Sequence, residues 1–470
     1  MNIPENIFKS YDIRGIYPQE INEENIIPII KAIYVLIQKE KNTTESITIV
    51  VGRDMRLSSP SLFTIAIKTL LQLGATIIDA GVVSTPTLYF TVFHYGYDGG
   101  FQITASHNPK EYNGIKIVRN TTNGLVKIGK STGMDEIKRM TIEGINPSSS
   151  IKFGTITQKN NIMKDEVKNA FIIANNPIIL PFKIVADAAN AMGATYIDEL
   201  FRNIPGNLVR MNFELDGNFP VHPADPLQLD TLIDLQKKVI EEKADFGLAP
   251  DGDGDRLFFI DEKGQIVQPS HITALVAREL LNKNPNQKIL YDIRYIITPK
   301  KIIEESGGKS VVTKVGHAFI TEKMHEVGGI FAGESSAHYF FKATGNAEAQ
   351  LPIILIVLKI MSETGKKLSE IISSLSRSFE SGEFNFKVNN ASEIILALSE
   401  KYKDGEISNL DGIAITYPEW RFSVRTSNTE PLLRLNVESE NKNITSEKKN
   451  ELTGFIENIA EKYKIIKSNS

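Results

Sequence analysis

A regular alternation of short β-branched runs and helical segments constrains the fold of this chain more than any other feature. The run Ile47–Val51 predicts a buried strand, because it is apolar and rich in β-branched residues. A serine cap followed by proline at Ser58–Pro60 predicts the start of a helix. Ala75–Gly81 and Ser84–Pro86 are the next strand and helix start, and Gly100–Ser106 is a further predicted strand. Strands that alternate with helices indicate an α/β unit with a mostly parallel sheet.

The alternation starts again twice further along the chain. Phe182–Asp187 and Ala244–Ala249 predict strands of a second unit, and the segment from Leu257 to Val315 predicts three strands that alternate with helices. The tetrapeptide Tyr-Asp-Ile-Arg occurs at Tyr11–Arg14 and again at Tyr291–Arg294, a weak indication that the units are related. Beyond about residue 375 the charge is denser and strands mix with helices, which predicts a separate α+β domain.

Length, charge and cysteine content exclude several classes of protein. A chain of 470 residues is too long for one hydrophobic core, and its length suggests roughly three to four domains. With 53 basic and 57 acidic residues the net charge is −4, so we expect no nucleic acid partner. The chain has no cysteine, which excludes disulfides and thiolate chemistry and fits a reducing compartment.

The apolar runs are too short to place this chain in a membrane. Leu351–Ile360 is the most apolar run, and it carries Pro352 and Lys359, so we predict a buried helix and no membrane partner. The first residues lack the basic and then apolar pattern of a signal peptide. We therefore expect a cytoplasmic protein.

Thr104–Pro109 is the first stretch that carries chemistry. It follows an apolar run that predicts a buried strand, and its last two residues, Asn and Pro, are typical of turns. Ser106 is therefore expected at the end of a strand, a place where α/β folds position reactive groups. Its hydroxyl is a candidate nucleophile or phosphoryl carrier. The alternative is an ordinary turn serine that caps the next segment.

Three carboxylates alternate with glycines at Asp251, Asp253 and Asp255. The glycines allow a tight loop that turns the three side chains inward, and oxygen ligands of this kind suit a hard cation such as Mg²⁺. A calcium EF-hand would use Glu262 as its twelfth residue, but Arg256 stands where that loop requires glycine. A solvated acidic turn is the other alternative, although three carboxylates in one turn repel each other without a counter-charge.

Two further loops carry polar residues after predicted strands. Gly333–His338 combines a glutamate, hydroxyls and an imidazole, which are the usual groups for holding sugar hydroxyls, although a loop glutamate with a structural role would look the same. Arg425–Pro431 places an arginine, three hydroxyls and an amide in one turn, which suits a phosphate dianion. A polar hairpin loop without a ligand is the alternative for the second stretch.

These four motifs, in this order, resemble those of the α-D-phosphohexomutases, and most closely those of bacterial and archaeal phosphomannomutase/phosphoglucomutases. The segments Tyr11–Gly15 and Val51–Asp54 resemble the opening of the same family. The resemblance extends over essentially the whole chain. Thr321-Glu322 and Gly345–Ala349 differ from the family pattern near regions that contact substrate, so the resemblance leaves the sugar open among mannose, glucose and glucosamine.

The resemblance implies a role for each motif. Ser106 would carry the phosphoryl group, and the three aspartates would bind Mg²⁺ together with that phosphate. Glu334 and Ser336 would hold sugar hydroxyls, and the loop that begins at Arg425 would bind the phosphate of the substrate. The implied catalytic residues are Ser106, Lys116, Arg14 and His107; the implied metal ligands are Ser106, Asp251, Asp253 and Asp255; and the implied substrate-binding residues are Arg256, Arg294, His317, Glu334, Ser336, His338, Arg425, Ser427, Asn428 and Thr429.

The expected fold is α/β with four domains around a central cleft: three related α/β units with mixed sheets, then a C-terminal α+β domain. We predict that the domains comprise residues 1–150, 151–256, 257–374 and 375–470, and that each supplies one motif. The sequence leaves the oligomeric state open.

The implied reaction interconverts hexose 1-phosphate and hexose 6-phosphate, of mannose, glucose or both. It would proceed through phosphorylated Ser106 and a hexose 1,6-bisphosphate, so small sugar phosphates are the expected partners. A phosphoglucosamine mutase and a metal-dependent sugar phosphatase are the alternatives. The phosphatase needs no second site for phosphate, so the loop that begins at Arg425 argues against it.

Overall fold

The structure is a computed structural model that describes residues 3–41, 45–145, 152–426 and 432–468. These residues form three mixed sheets covered by helices, followed by one antiparallel sheet with two helices. The predicted fold class, three α/β units and a C-terminal α+β domain, is confirmed. No helix in the described ranges combines the length and the apolar character needed to cross a membrane.

The first domain is built on a seven-stranded sheet. Its strands are β1 (Ile13–Ile16), β2 (Thr48–Arg53), β3 (Thr76–Val82), β4 (Gly99–Ile103), β5 (Tyr112–Thr121), β6 (Gly124–Lys127) and β7 (Thr155–Gln158), and its helices are α1 (Ile26–Glu40), α2 (Ser59–Gln72), α3 (Thr85–His94) and α4 (Met134–Glu143). The strand order is β1-β5-β4-β2-β3-β7, with β6 paired to β5. β2 is parallel to β3 and β4, whereas β5 turns back antiparallel to β4, so the turn with Ser106 lies at the carboxyl end of β4.

The second domain repeats the arrangement with five strands. They are β8 (Phe182–Asp187), β9 (Gly206–Met211), β10 (Phe246–Pro250), β11 (Leu257–Asp261) and β12 (Ile266–Val267), and the helices are α5 (Ile162–Ile173), α6 (Gly193–Phe201) and α7 (Ile233–Glu241). β10 is parallel to β8 and antiparallel to β11. The aspartate loop is therefore the connection of the β10–β11 hairpin, at the carboxyl end of a parallel strand, the edge where α/β sheets bind ligands.

The third domain also has a five-stranded mixed sheet. Its strands are β13 (Lys288–Asp292), β14 (Lys309–Thr313), β15 (Phe331–Gly333), β16 (Tyr339–Phe341) and β17 (Ala347–Glu348), and its helices are α8 (Pro269–Lys283), α9 (Ile297–Glu305), α10 (His317–Val327), α11 (Leu351–Thr364) and α12 (Leu368–Leu375). The buried helix predicted from Leu351 is α11, which is buried on all sides up to Met361. A helix that is apolar all round belongs inside a protein of this size.

The C-terminal domain is an antiparallel sheet with two helices. The strands are β18 (Phe379–Glu380), β19 (Phe384–Lys387), β20 (Glu406–Ser408), β21 (Ile413–Thr416), β22 (Trp420–Thr426) and β23 (Leu432–Ser439), and the helices are α13 (Ala391–Lys401) and α14 (Lys442–Ser468). The central pair is β22 and β23, in which Arg425 lies opposite Arg434.

The described part of the chain has four sheets, one in each domain, but its buried apolar side chains do not form one cluster for each domain. One cluster of buried side chains runs from Val167 to Leu375, so the second and third domains share a core. Another contains only residues between Ile394 and Ile456, all of them in the C-terminal domain. The C-terminal domain therefore has a core of its own, and it meets the third domain through a small apolar cluster that includes Ile293, Val315 and Ala414 as well as through polar contacts.

A buried ion pair attaches the C-terminal domain to the third domain. Arg421 on β22 pairs with Glu438 on β23 at 2.8 Å, and both side chains are almost completely buried. Arg421 donates to the carbonyls of Ile293 and Arg294, at 2.9 and 3.0 Å. Glu438 accepts from the backbone N–H of Ile296 at 2.6 Å. The pair therefore holds the loop that follows β13 and positions Arg294 beside Glu334 and Glu383.

We predict that Arg421→Met weakens this attachment, because it leaves the charge of Glu438 buried without its partner. Removing one member of a buried pair costs about 3–5 kcal/mol, and the double variant Arg421→Met/Glu438→Met should cost less. Thermal unfolding combined with limited proteolysis of residues 376–383 measures the effect. Equal losses in the single and double variants would contradict a specific pair.

Candidate active site

Ser106 lies in a strained turn immediately after β4. Its backbone has φ 53°, in the left-handed region, and its side chain is buried. The N–H of Ser106 donates to Oγ1 of Thr104 at 3.0 Å, which fixes the turn. Its hydroxyl donates to Oδ2 of Asp251 at 3.3 Å and lies 3.2 Å from Nδ1 of His107. The strand predicted to continue to Ser106 ends at Ile103, because the chain turns there toward the aspartates.

Arg56 fixes the Ser106 turn by donating to its carbonyl oxygens. The sequence alone did not identify this residue. Its guanidinium is completely buried and donates to the carbonyl oxygens of Ser106 at 2.8 Å and Asn108 at 2.6 Å. It also donates to the carbonyls of Pro109 and Tyr112, at 2.7 and 3.0 Å. Four carbonyls of one loop thus share a single cation, an arrangement that the five donors of arginine allow and a lysine would not.

The aspartate loop packs directly against the backbone of Ser106. A Cβ atom on Gly252 would lie 2.3 Å from the carbonyl oxygen of Ser106, so this position requires glycine. The carboxylates of Asp251, Asp253 and Asp255 are buried, and one oxygen of each lies within 4.8 Å of the others. The close approach therefore brings three carboxylates to the serine hydroxyl.

The positive partners of these carboxylates come from neighbouring elements. Nζ of Lys116, on β5, lies 2.6 Å from Oδ2 of Asp253 and 2.5 Å from Oδ2 of Asp255. Thr85, the first residue of α3, donates its hydroxyl to Asp253 at 2.6 Å and its N–H to the carbonyl of the same residue at 2.9 Å. Oδ1 of Asp253 accepts no hydrogen bond from the described residues, although it is buried.

The electrostatics of this cluster favour a further cation. Burial, together with the carboxylates of Asp255 and Asp253, raises the pKa of Asp251 well above its usual range. Burial also opposes ionisation of Asp255, but the ammonium of Lys116 and the imidazole of His338 hold the pKa of Asp255 well below its usual range. Asp251 lacks enough positive charge around it, and Oδ1 of Asp253 lacks a donor among the described residues. Both features fit a binding site for a hard divalent ion.

His338 connects the aspartates to the loop of the third domain. Its Nε2 lies 3.2 Å from Oδ1 of Asp255, and its Nδ1 lies 2.9 Å from Oε2 of Glu334 and 3.0 Å from Oγ of Ser336. Burial lowers the pKa of His338, but the two carboxylates outweigh it and raise that pKa to about 9. The imidazolium therefore joins the second and third domains.

Glu334 is fixed by cations and by a helix start. Its Oε1 accepts from the N–H of Gly316 at 2.8 Å and lies 3.3 Å from Nη2 of Arg294. Burial would raise the pKa of Glu334, but His338 and Arg294 hold it well below its usual range. Arg294 is itself oriented by Asp292, whose two carboxylate oxygens accept from it at 3.0 and 3.1 Å.

The remaining predicted basic groups surround the serine. Arg14 donates to Oδ1 of Asn108 at 2.6 Å and pairs with Asp12. Arg256 donates to Asp225 at 3.3 Å, and its Nε lies 3.8 Å from Oδ2 of Asp251. Both arginines therefore lie beside the turn that carries the hydroxyl.

Two histidines of the site are held neutral. Burial and the charges of Arg256 and Arg14 lower the pKa of His107 well below its usual range. Burial and the ammonium of Lys127 also lower the pKa of His317 well below its usual range. Nδ1 of His317 lies 3.3 Å from Nζ of Lys127. Neutral imidazoles can accept a proton or a hydrogen bond, unlike His338.

Arg425 completes the chain of contacts from the C-terminal domain. It is buried on β22, and its Nη2 lies 3.4 Å from Oε2 of Glu383. The same oxygen of Glu383 lies 3.8 Å from Nη1 of Arg294. The predicted residues Ser427, Asn428 and Thr429 lie outside the described residues. The structure thus links motif residues of the second, third and fourth domains through Asp255, His338, Glu334, Arg294, Glu383 and Arg425, and Ser106 of the first domain joins the same aspartate loop through Asp251.

Sequence patterns could not identify Arg56, Thr85, Asp225 or Glu383. Arg56 contacts mainly backbone carbonyls, which leave no trace in the sequence. Thr85 follows a serine in an ordinary helix-start pattern, and only its contact with Asp253 distinguishes it. The acids Asp225 and Glu383 lie far in sequence from the arginines that they contact.

Comparisons with known proteins match this architecture domain by domain. Family models described as phosphoglucomutase/phosphomannomutase alpha/beta/alpha domains I, II and III match residues 5–141, 165–264 and 268–379, and the C-terminal domain model matches residues 383–453. Four domains of these kinds in this order are characteristic of the phosphoglucomutase/phosphomannomutase class of enzymes. The chain belongs to the α-D-phosphohexomutase superfamily.

Individual relatives agree with this assignment. A phosphomannomutase of Escherichia coli is 35% identical over 443 residues, which are 92% of this chain and 94% of that protein. A phosphomannomutase of Methanocaldococcus jannaschii is 37% identical over 458 residues, 96% of this chain and 97% of that protein. The crystal structure of a phosphoglucomutase/phosphomannomutase family protein of Burkholderia thailandensis has a TM-score of 0.84 at 27% identity and covers 97% of this chain and 98% of its own.

We predict that Arg56→Lys lowers kcat for the mutase reaction by about 10²-fold with little change in KM, because a misplaced Ser106 turn would affect the expected phosphoryl carrier rather than the substrate contacts. Steady-state kinetics measure the split. Arg53→Lys is the matched control, since within the described residues the side chain of Arg53 donates to the carbonyl of Asp54 and to no carbonyl of the Ser106 turn. A rise in KM at unchanged kcat would contradict a positioning role for Arg56.

Proposed function

We propose that this protein is a phosphohexomutase that interconverts the 1- and 6-phosphates of mannose, glucose or both. The observation that carries the proposal is the Ser106 hydroxyl, which donates to Asp251 within a cluster of carboxylates and cations. Contacts across three domains connect that cluster to Arg425. A sugar phosphate that bridges Ser106 and Arg425 would place one end at a phosphoryl carrier and the other at an anion site.

The aspartate loop is the proposed metal site. Asp251, Asp253 and Asp255, with an oxygen on Ser106, would hold Mg²⁺, and the buried free oxygen of Asp253 supports this assignment. When bound, the ion neutralises negative charge on the oxygens of the phosphoryl group.

In the first half-reaction, phosphorylated Ser106 gives its phosphoryl group to the free hydroxyl of the sugar. The bond from phosphorus to Oγ of Ser106 breaks, a bond to the sugar oxygen forms, and the proton lost by the sugar hydroxyl is balanced by the proton that Oγ of Ser106 gains as it becomes a hydroxyl again. The product is a hexose 1,6-bisphosphate. After the bisphosphate turns around, its other phosphoryl group returns to Ser106 by the reverse steps.

Lys116 and His107 have different roles in this scheme. Burial disfavours the charge of Lys116, but Asp253 and Asp255 raise the pKa of Lys116 far above its ordinary value. It therefore stays an ammonium and stabilises negative charge during transfer. His107 is neutral, and its Nδ1 lies 3.2 Å from Oγ of Ser106, so it is placed to exchange the serine proton. Arg14 and Arg256 add positive charge at the same turn.

The third and fourth domains supply recognition of the sugar phosphate. Glu334 and Ser336 offer an acceptor and a hydroxyl to the ring, and His317 offers a neutral imidazole. Arg294 and Arg425 offer guanidinium donors to the phosphate that is not transferred. The same site would take the 1-phosphate in one half-reaction and the 6-phosphate in the other.

A coupled assay tests the proposed function and its alternatives. Mannose 1-phosphate, glucose 1-phosphate and glucosamine 1-phosphate are compared with a trace of the corresponding bisphosphate. Conversion of the first two supports the proposal, and conversion of only the third identifies a phosphoglucosamine mutase. Release of inorganic phosphate without isomerisation would identify a phosphatase.

We predict that Ser106→Ala lowers turnover by about 10³-fold or more, because it deletes the phosphoryl carrier. Thermal stability should change little, since one hydroxyl is lost. Intact-mass spectrometry should find one phosphate on the wild type after incubation with bisphosphate and none on the variant. Ser131→Ala, an exposed serine of the same domain, is the control and should behave as the wild type. Wild-type turnover in Ser106→Ala would exclude the mechanism.

We predict that EDTA abolishes turnover and that Mg²⁺ restores it. Mg²⁺ should also raise the thermal unfolding temperature of the wild type, because it relieves repulsion among three buried carboxylates. Asp253→Asn should lose both effects, whereas Asp135→Asn, an exposed aspartate on α4, should keep them. Full turnover in excess EDTA would contradict the metal site.

A further inference from the structure

Glu383 lies in the short connection between β18 and β19 and faces three arginines. Its Oε2 lies 3.4 Å from Nη2 of Arg425 and 3.8 Å from Nη1 of Arg294. Its Oε1 lies 3.2 Å from Nη1 of Arg434. One carboxylate, with a side chain that is 24% exposed, is thus shared by guanidiniums of two domains.

Glu383 is the carboxylate that the three guanidiniums share, although Arg294 also pairs with Asp292 and Glu334. Arg425 and Arg434 lie directly opposite on β22 and β23, where like charges destabilise a strand pair. Arg294 reaches the same place from the loop after β13. Burial and the charges of Arg294 and Arg434 lower the pKa of Arg425, and the carboxylates of Glu383 and, to a smaller extent, Asp411 oppose this shift.

Glu383 satisfies this cluster only in part. Its three ion pairs are 3.2 to 3.8 Å long, longer than the 2.6 Å contact between Lys116 and Asp253. Nε of Arg425 is buried and donates no hydrogen bond within the described residues. A phosphate carries more charge than a carboxylate and has three oxygens for guanidinium donors, so it fits the cluster better.

We propose that Glu383 is an internal anion, which occupies the arginine cluster of the unliganded protein and gives way to the phosphate of the substrate. The inference rests on the proposed function, which assigns Arg425 to phosphate binding. It makes Glu383 a specificity-determining residue, because a ligand must bind the arginines better than this carboxylate does. A dianionic phosphate does so, whereas a single carboxylate on a sugar does not.

Binding of inorganic phosphate, measured by calorimetry in EDTA, tests this role. The comparison is among the wild type, Glu383→Gln and the control Glu400→Gln, an exposed glutamate on α13 that pairs with Lys403. Glu383→Gln removes the competing charge with little change in size, so phosphate should bind about five- to tenfold more tightly. The control should bind as the wild type does. In Arg425→Ala/Glu383→Gln the gain should disappear.

Thermal unfolding provides a second readout of the same exchange. Without phosphate, Glu383→Gln should unfold at a lower temperature than the wild type, because Arg425, Arg434 and Arg294 lose the carboxylate that they share. Saturating phosphate should remove most of that difference, since it replaces the lost carboxylate. A variant that folds only in the presence of phosphate would support the proposal in the same way.

Two sets of outcomes separate this inference from the proposed function. Unchanged or weaker phosphate binding by Glu383→Gln, or a stability loss that phosphate does not reduce, would overturn the role of Glu383 alone, provided that Arg425→Ala still weakens binding. If Arg425→Ala also binds phosphate as the wild type does, the phosphate site lies elsewhere and both proposals fail.

Discussion

The burial of three carboxylates in one loop is the constraint on which the rest of the site depends. Asp251, Asp253 and Asp255 are almost inaccessible to solvent, and a buried carboxylate stays ionised only beside positive charge. That charge comes from Lys116 in the first domain and His338 in the third, as well as from the loop itself. The negative charge of the aspartate loop is therefore neutralised by groups of three domains, and these domains must meet at the loop.

The C-terminal end of the cleft has the opposite charge problem. There the buried groups are guanidiniums, and Asp292, Glu334 and Glu383 supply the negative partners. On the proposed function, a sugar phosphate lies between an anionic cluster that binds a cation and a cationic cluster that binds an anion. The polarity of the cleft would then orient the ligand before any contact with the sugar ring is made.

The sequence predicts the parts of this structure that depend on local pattern. Strands such as Ile47–Val51 and the buried helix from Leu351 are recognisable because their apolar pattern reflects burial directly. The strand Tyr112–Thr121 was missed because its sequence lacks a regular pattern: Lys116 is charged but buried, since it pairs with Asp253 and Asp255 of the next domain. Arg56 and Glu383 act through contacts with residues distant in sequence, which no local pattern encodes. The domain boundaries and the roles of the site residues stay predictions.

The division of the hydrophobic clusters has a consequence for cooperativity. The second and third domains share one core, so neither can lose its structure while the other keeps its own. The C-terminal domain has a separate core and is attached by a buried ion pair, hydrogen bonds and a small apolar cluster. We therefore expect the C-terminal domain to open locally at a lower free energy than the whole chain. Denaturation of this protein should then proceed in more than one transition, and a change in unfolding temperature belongs to the transition of the domain that carries the altered residue.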